Sequence, residues 1–160
     1  MKCITIAAFI LVAHTAANAQ PITKIPKDFR IAAHYVVGDI IMMQGEVLDV
    51  SVSADGSVVR KSVRLEDKKE KAKITRKRLS QAEIRQLIDV IDKLRFYDLP
   101  AKYRFIATDC PPLVLTVTSD GRSHRVLFPP CMREEKSAER FERIWHRVIC
   151  TLTPKDCKRS

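Results

Sequence analysis

Beyond residue 19, the side chains able to do chemistry are four cysteines, three histidines and one dense run of lysine and arginine. Cys110, Cys131, Cys150 and Cys157 are even in number, which suits an oxidising compartment where thiols pair. A turn singles out one of the three possible pairings. Asp109 to Cys131 reads DCPPLVLTVTSDGRSHRVLFPPC, two β-favouring runs about Asp120-Gly121. A two-residue type I′ turn prefers that dipeptide because both of its positions need φ > 0. Folding about it pairs Val117 with His124, Leu115 with Val126 and Leu113 with Phe128, and sets Cys110 opposite Cys131. Cys150 and Cys157 are left to clip the C-terminal tail. Zinc is the sharper alternative, but paired CxxC spacing is absent and the Pro-Pro flanks suit a hairpin base, so no metal is expected.

Catalysis finds little to stand on. There is no G-x-S-x-G, S-x-x-K or H-E-x-x-H, and pairing accounts for every cysteine that would otherwise be a nucleophile. His124 falls on the apolar face of its hairpin and reads as a half-buried structural histidine rather than a base. His146 falls on an exposed part of the last helix, and His34 sits in unpatterned sequence. Asp89 and Asp92 lie on the polar side of an amphipathic stretch, where solvated carboxylates are ordinary. No cofactor is called for. The sequence reads as a non-enzymatic binding domain; the alternative is a small enzyme of unrecognised type, with Tyr103, His124 and Asp109 around a concavity.

The basic run offers a second kind of chemistry. The whole chain carries +10, and ten Lys or Arg against three acids fall between Arg60 and Arg78. Lys68, Lys69, Lys71, Lys73, Arg76, Lys77 and Arg78 have the charge to hold phosphates of lipid A-type headgroups or an acidic protein. Aromatic residues for base stacking are missing from the run, which disfavours nucleic acid. The plainer reading is a solvated, exposed connection. The favoured partner is a protein or an anionic envelope component.

These residues need elements to hold them. Residues 20–39 are poorly patterned, and Ile40 to Met43 reads as a short strand. A hairpin follows about Asp55-Gly56, with Leu48, Val50 and Val52 buried against wet Asp49, Ser51 and Ser53. Carrying the two-residue turn across puts Val59 and Val63 on the buried face, and Lys61 with them. Ser80 and Glu83 form a capping box with Leu79 and Ile84 as its staple, and Ile84, Leu87, Ile88, Ile91 and Leu94 repeat at helical spacing. Ser137 to Cys150 is a second helix with Ala138, Phe141, Ile144, Trp145 and Val148 on one face. The tail of residues 151–160 is expected to be held only by its disulfide. Val114 and Leu127 make an apolar pair on the polar side of the cysteine hairpin, to be covered by residues 20–45 or another protein. The fold expected is α+β: an antiparallel sheet built from two β-hairpins with two α-helices packed on one face, in the order ββαββα over residues 40–150. The two hairpins resemble each other, with turn glycines 65 residues apart, as an internal duplication or as two solutions to one turn.

Residues 1–19 read as a cleavable signal peptide: Lys2, an uncharged run from Ile4 to Ala13, then the small-x-small site Ala17-Asn18-Ala19, with cleavage between Ala19 and Gln20. No other segment is apolar and long enough to span a bilayer. The mature chain is therefore expected to be exported, periplasmic or secreted.

Several landmarks, taken together, resemble a family of small exported bacterial domains of unknown function. They are the Asp55-Gly56 hairpin, the Leu79-Ser80-x-x-Glu83 helix start, Phe96 with Leu99, Tyr103, the Asp109-Cys110-Pro111 step and Trp145, spanning about residues 40 to 149. The resemblance implies a fold and an export route, and no activity. Members are richer in cysteine ahead of the first hairpin. This chain has Met42 to Glu46 there, so a site built on those cysteines is missing.

Overall fold

The computed structural model of the chain describes residues 24–39, 44–66, 71–104, 110–130 and 136–157. The signal segment with Ala19 and Gln20, residues 40–43, Lys68, Lys69, Asp109 and Cys131 lie outside the described residues.

Six strands make one antiparallel sheet: β1 (Arg30–Asp39), β2 (Gln44–Ser53), β3 (Ser57–Arg64), β4 (Lys73–Arg78), β5 (Leu113–Ser119) and β6 (Arg122–Phe128). Their spatial order is β4-β3-β2-β1-β5-β6. Helix α1 (Gln81–Lys93) follows β4, and α2 (Lys136–Leu152) with the short α3 (Pro154–Cys157) follows β6. The architecture is α+β, but the expected pair of hairpins is two strands short and the order is four strands, helix, two strands, helix. Both missing strands come from sequence read as irregular. β1 is central, paired with β2 and β5, and β4 forms the sheet edge inside the basic connection.

Cross-strand partners show which side chains share a face. Ile31, Ala33 and Tyr35 pair with Val52, Val50 and Leu48, and Ile31 and Ala33 also pair with Val117 and Leu115. These residues, with Val126 and Phe128, form one core with Ile84, Leu87 and Ile91 of α1 and Phe141, Ile144 and Val148 of α2. Both helices thus cover the same sheet face. Phe141 stacks on Phe128 at 4.6 Å, and Trp145 meets Tyr35 edge-on at 5.3 Å. Helix α1 starts with the full capping box: Ser80 Oγ accepts from Glu83 N–H, and the Glu83 carboxylate accepts from Ser80 N–H at 2.7 Å.

The β5–β6 hairpin has the register read from the sequence, with Leu113, Leu115 and Val117 opposite Phe128, Val126 and His124. Asp120 and Gly121 have φ of 50° and 71°, as a type I′ turn requires. The Asp28 carboxylate accepts both turn amides, Gly121 N–H at 2.7 Å and Asp120 N–H at 3.0 Å. Those bonds, the Gly121 one foremost, hold its pKa down. Cys110 is disulfide-bonded.

The β2–β3 hairpin departs from expectation by one residue. Gly56 alone takes positive φ, and its N–H bonds Ser53 C=O, so the loop has three residues and Val52 opposes Val58. Val58 therefore joins the core, while Val59, Lys61 and Val63 turn to the other face. A two-residue loop puts Lys61 on the buried face; the three-residue loop pairs it with Asp49 on the other. The cause is local: Asp55 accepts from Ser53 Oγ, Ser57 N–H and Ser57 Oγ, which holds Asp55 out of the left-handed region. The two Asp-Gly hairpins thus use different turns.

Cys150 and Cys157 are joined, closing the α2–α3 corner. The tail is not held by this bond alone, for Leu152 and Thr153 are buried and the Thr153 hydroxyl lies 3.3 Å from Tyr35 OH. Val114 is only 8% exposed and pairs with His34 of β1, so β1 runs beside β5.

Candidate functional site

Strand β4 reads KITRKR, and all six residues are exposed. Branched Ile74 and Thr75 favour a strand, and the cations keep this sheet edge from pairing with another chain. Lys77 is opposite Val58 of the core, so Lys73, Thr75 and Lys77 face the helices, while Ile74, Arg76 and Arg78 face away. Of the seven cations singled out, Lys71, Lys73, Arg76, Lys77 and Arg78 fall among the described residues, and four of them lie on this strand.

Between β4, β3 and the α2–α3 corner runs a groove of about 520 Å³. Its described lining has five cations, Arg60, Lys73, Arg76, Lys77 and Lys155, against one carboxylate, Glu46. Glu46 pairs with Arg60 at 3.5 Å, which leaves most of the positive charge uncompensated. Lys77 Nζ donates to the Thr151 carbonyl in the last turn of α2 at 2.9 Å. A cation there meets the negative end of the helix dipole. Burial pulls the Lys77 pKa down, partly countered by Glu83. Arg60 and Lys155 were invisible as site residues in the sequence, because only the sheet pairing and the helical corner bring them beside β4.

The uncovered sheet face carries a second arrangement. His34 and Asp49 are cross-strand partners with Nδ1 and Oδ1 2.7 Å apart. Arg30, Lys61 and Arg125 line the same shallow concavity of about 430 Å³. Both partners are about half exposed, so the pair adds little stability. No hydroxyl or thiol among the described residues hydrogen-bonds the other His34 nitrogen. A third groove, of about 680 Å³ between α1 and α2, has Val90 and Leu94 as its apolar side and mixed charges around it.

Tyr103 and His124 do not line any of these three grooves. Tyr103 is buried against Phe128 and Phe141. His124 Nε2–H donates to the Leu99 carbonyl at 2.9 Å and packs edge-on against Phe96. That is the structural histidine its position suggested. Asp89 pairs with Lys93 one turn on at 2.9 Å, as a solvated helix carboxylate does. Burial raises the Asp92 pKa despite Arg122 nearby.

Among the described residues, no helix is long and apolar enough to cross a membrane. No protein-family model and no curated protein matches the sequence.

Proposed function

We propose that this chain is an exported, non-enzymatic binding domain whose β4 edge and adjoining groove hold a phosphate-bearing, anionic envelope component. The observation that carries this reading is the lining of that groove, five cations against Glu46. Convergence from β3, β4 and α3 supports binding over a merely solvated loop, since a strand edge fixes the spacing of its charges. The described residues lining the groove include no aromatic side chain, which speaks against single-stranded nucleic acid. The signal-like residues 1–19 and the resemblance to small exported domains support the export route.

The test is co-sedimentation of the purified protein with anionic and neutral phospholipid vesicles. Binding to anionic vesicles should fall as ionic strength rises from about 0.01 M to about 0.15 M, because the screening length shrinks from roughly 30 Å to about 8 Å. Lys73→Gln, Lys77→Gln and Lys155→Gln together should cost roughly 100-fold in affinity, at about 1 kcal/mol per cation near an anionic surface. Arg78→Gln, outside the groove lining, should cost less. A larger loss from Arg78→Gln than from the groove triple, or salt-insensitive binding, would refute the groove as the site. Retention of an acidic protein with no binding to vesicles would move the partner from lipid to protein.

A second reading rests on His34 and Asp49. A histidine hydrogen-bonded to a carboxylate beside a concavity is an arrangement that can serve as a general base in hydrolysis. Turnover of phosphate or acyl esters that disappears in His34→Ala would favour it.

A further inference from the structure

At the α2–α3 corner the structure brings together three groups with metal-ligand chemistry. His146 and Cys150 are four residues apart on α2 and so share one side of the helix. The turn at Thr153 then folds α3 back, returning Cys157 to the same place through Cys157 N–H to Thr153 C=O at 3.3 Å. His146 Nε2 lies 3.5 Å from Cys150 Sγ and 3.8 Å from Cys157 Sγ. All three potential ligand atoms fall within 4.8 Å of one another.

These separations can be set against a real metal site. Tetrahedral zinc with Zn–S of about 2.3 Å and Zn–N of about 2.0–2.1 Å places a sulfur and a nitrogen ligand roughly 3.5 Å apart. Both observed nitrogen–sulfur distances are close to that edge. The two sulfurs, now bonded to each other, would have to part to roughly 3.8 Å. That movement is small for side chains at a chain corner. The imidazole turns about a broad χ2 torsion, so aiming its lone pair between the sulfurs carries little cost. His146 is exposed and both cysteines are half-buried, so solvent and ions reach the site. Accessible disulfides are also the more readily reduced ones.

We propose that reduction of the Cys150–Cys157 disulfide creates a three-ligand site, His146 with both thiolates, for a thiophilic divalent metal, zinc foremost. The corner would then be closed by either a disulfide or a metal ion, according to redox conditions. The chemistry balances as two steps. A dithiol reductant takes up the disulfide's oxidising equivalents, giving two cysteine thiols and its own disulfide. The metal ion then displaces one proton from each thiol, forms two metal–sulfur bonds and one bond to neutral imidazole, and keeps water as its fourth ligand. The sequence hid this set because its spacing, His-x3-Cys-x6-Cys, lacks the CxxC of common zinc motifs. It does not depend on the anion-binding groove.

The test titrates the full chain, oxidised and dithiol-reduced after reductant removal, with Co²⁺ as a coloured stand-in and Zn²⁺ as competitor. The reduced protein should bind one Co²⁺ with a thiolate-to-cobalt charge-transfer band that Zn²⁺ abolishes, and the oxidised protein should show none. His146→Ala should weaken Zn²⁺ binding at least about 100-fold, beyond the effect typical of losing an outer partner of a ligand. Zn²⁺ should shield Cys150 and Cys157 of the reduced chain from alkylation. Far-UV circular dichroism accompanies each sample. The proposal falls if the reduced chain takes no Co²⁺, if His146→Ala binds as tightly as the parent, or if Cys150→Ser with Cys157→Ser keeps the band.

Discussion

Replacing each turn glycine by alanine tests whether the two Asp-Gly hairpins really differ. Gly56 and Gly121 have similar positive φ, 85° and 71°, so alanine meets the same left-handed backbone penalty at both, about 1–2 kcal/mol. Their surroundings are unlike. A Cβ on Gly121 meets nothing within 4 Å. A Cβ on Gly56 would run into the Leu79 carbonyl oxygen, with Ile84 Cδ1 a further 3.5 Å neighbour. That oxygen belongs to the residue whose N–H bonds Gly56 C=O at 2.9 Å, so relief means parting the hairpin from the start of α1. Losing that bond costs about 1 kcal/mol, and forcing the turn off a packed helix roughly another 1–3 kcal/mol. Gly56→Ala should therefore lose about 3–6 kcal/mol and Gly121→Ala about 1–2 kcal/mol. With a urea m-value of about 2 kcal/mol/M, the unfolding midpoints should separate by roughly 1–2 M. Equal losses would refute the close approach of the first turn to α1.

Two further expectations follow from the same corner of the molecule. Ser80→Ala should cost about 1 kcal/mol and Leu87→Ala roughly 2–5 kcal/mol in urea melts; a neutral Leu87→Ala would contradict its place in the core. Asp55 has its pKa lowered from 3.8 to about 2, first by the Ser57 hydroxyl, then by Ser57 N–H and Ser53. A depressed carboxylate adds stability that is complete above its unfolded pKa and lost as pH falls through its folded one. Asp55→Asn should therefore flatten the pH dependence of stability between pH 3.8 and about 2, and unchanged acid titration of stability in that variant would refute it.

What the sequence shows of this fold depends on whether local chemistry decides the outcome. The capping box and the β5–β6 register are legible because Ser80, Glu83, Asp120 and Gly121 act on neighbours within a few residues. β1 is not, because its buried set Ile31, Ala33 and Tyr35 is interleaved with Ala32 and Val36, which blurs the alternation. A central strand is fixed by partners on both sides, here β2 and β5, and the latter is some 80 residues away in the chain. The first hairpin marks the boundary between these cases. Asp55-Gly56 and Asp120-Gly121 are identical dipeptides, yet serines at 53 and 57 engage the first aspartate, and Asp28 reaches the amides of the second from outside.

The functional residues divide along the same line. The charge of β4 is plain in composition, but a strand there is not, since Lys and Arg are poor strand formers and only Ile74 and Thr75 argue for one. Pairing with β3 does what propensity does not, and it also splits the cations between two faces, an alternation a loop would lack. That split converts a general positive charge into a testable direction: Lys73 and Lys77 with Lys155 on the helical side, Arg78 away from it and outside the groove lining. At the α2–α3 corner the logic runs further. The sequence shows the cysteine pair and the histidine separately, and only the reversal at Thr153 makes them neighbours. Residues joined by a return of the chain are the ones a linear pattern leaves apart, as Cys157 is from His146.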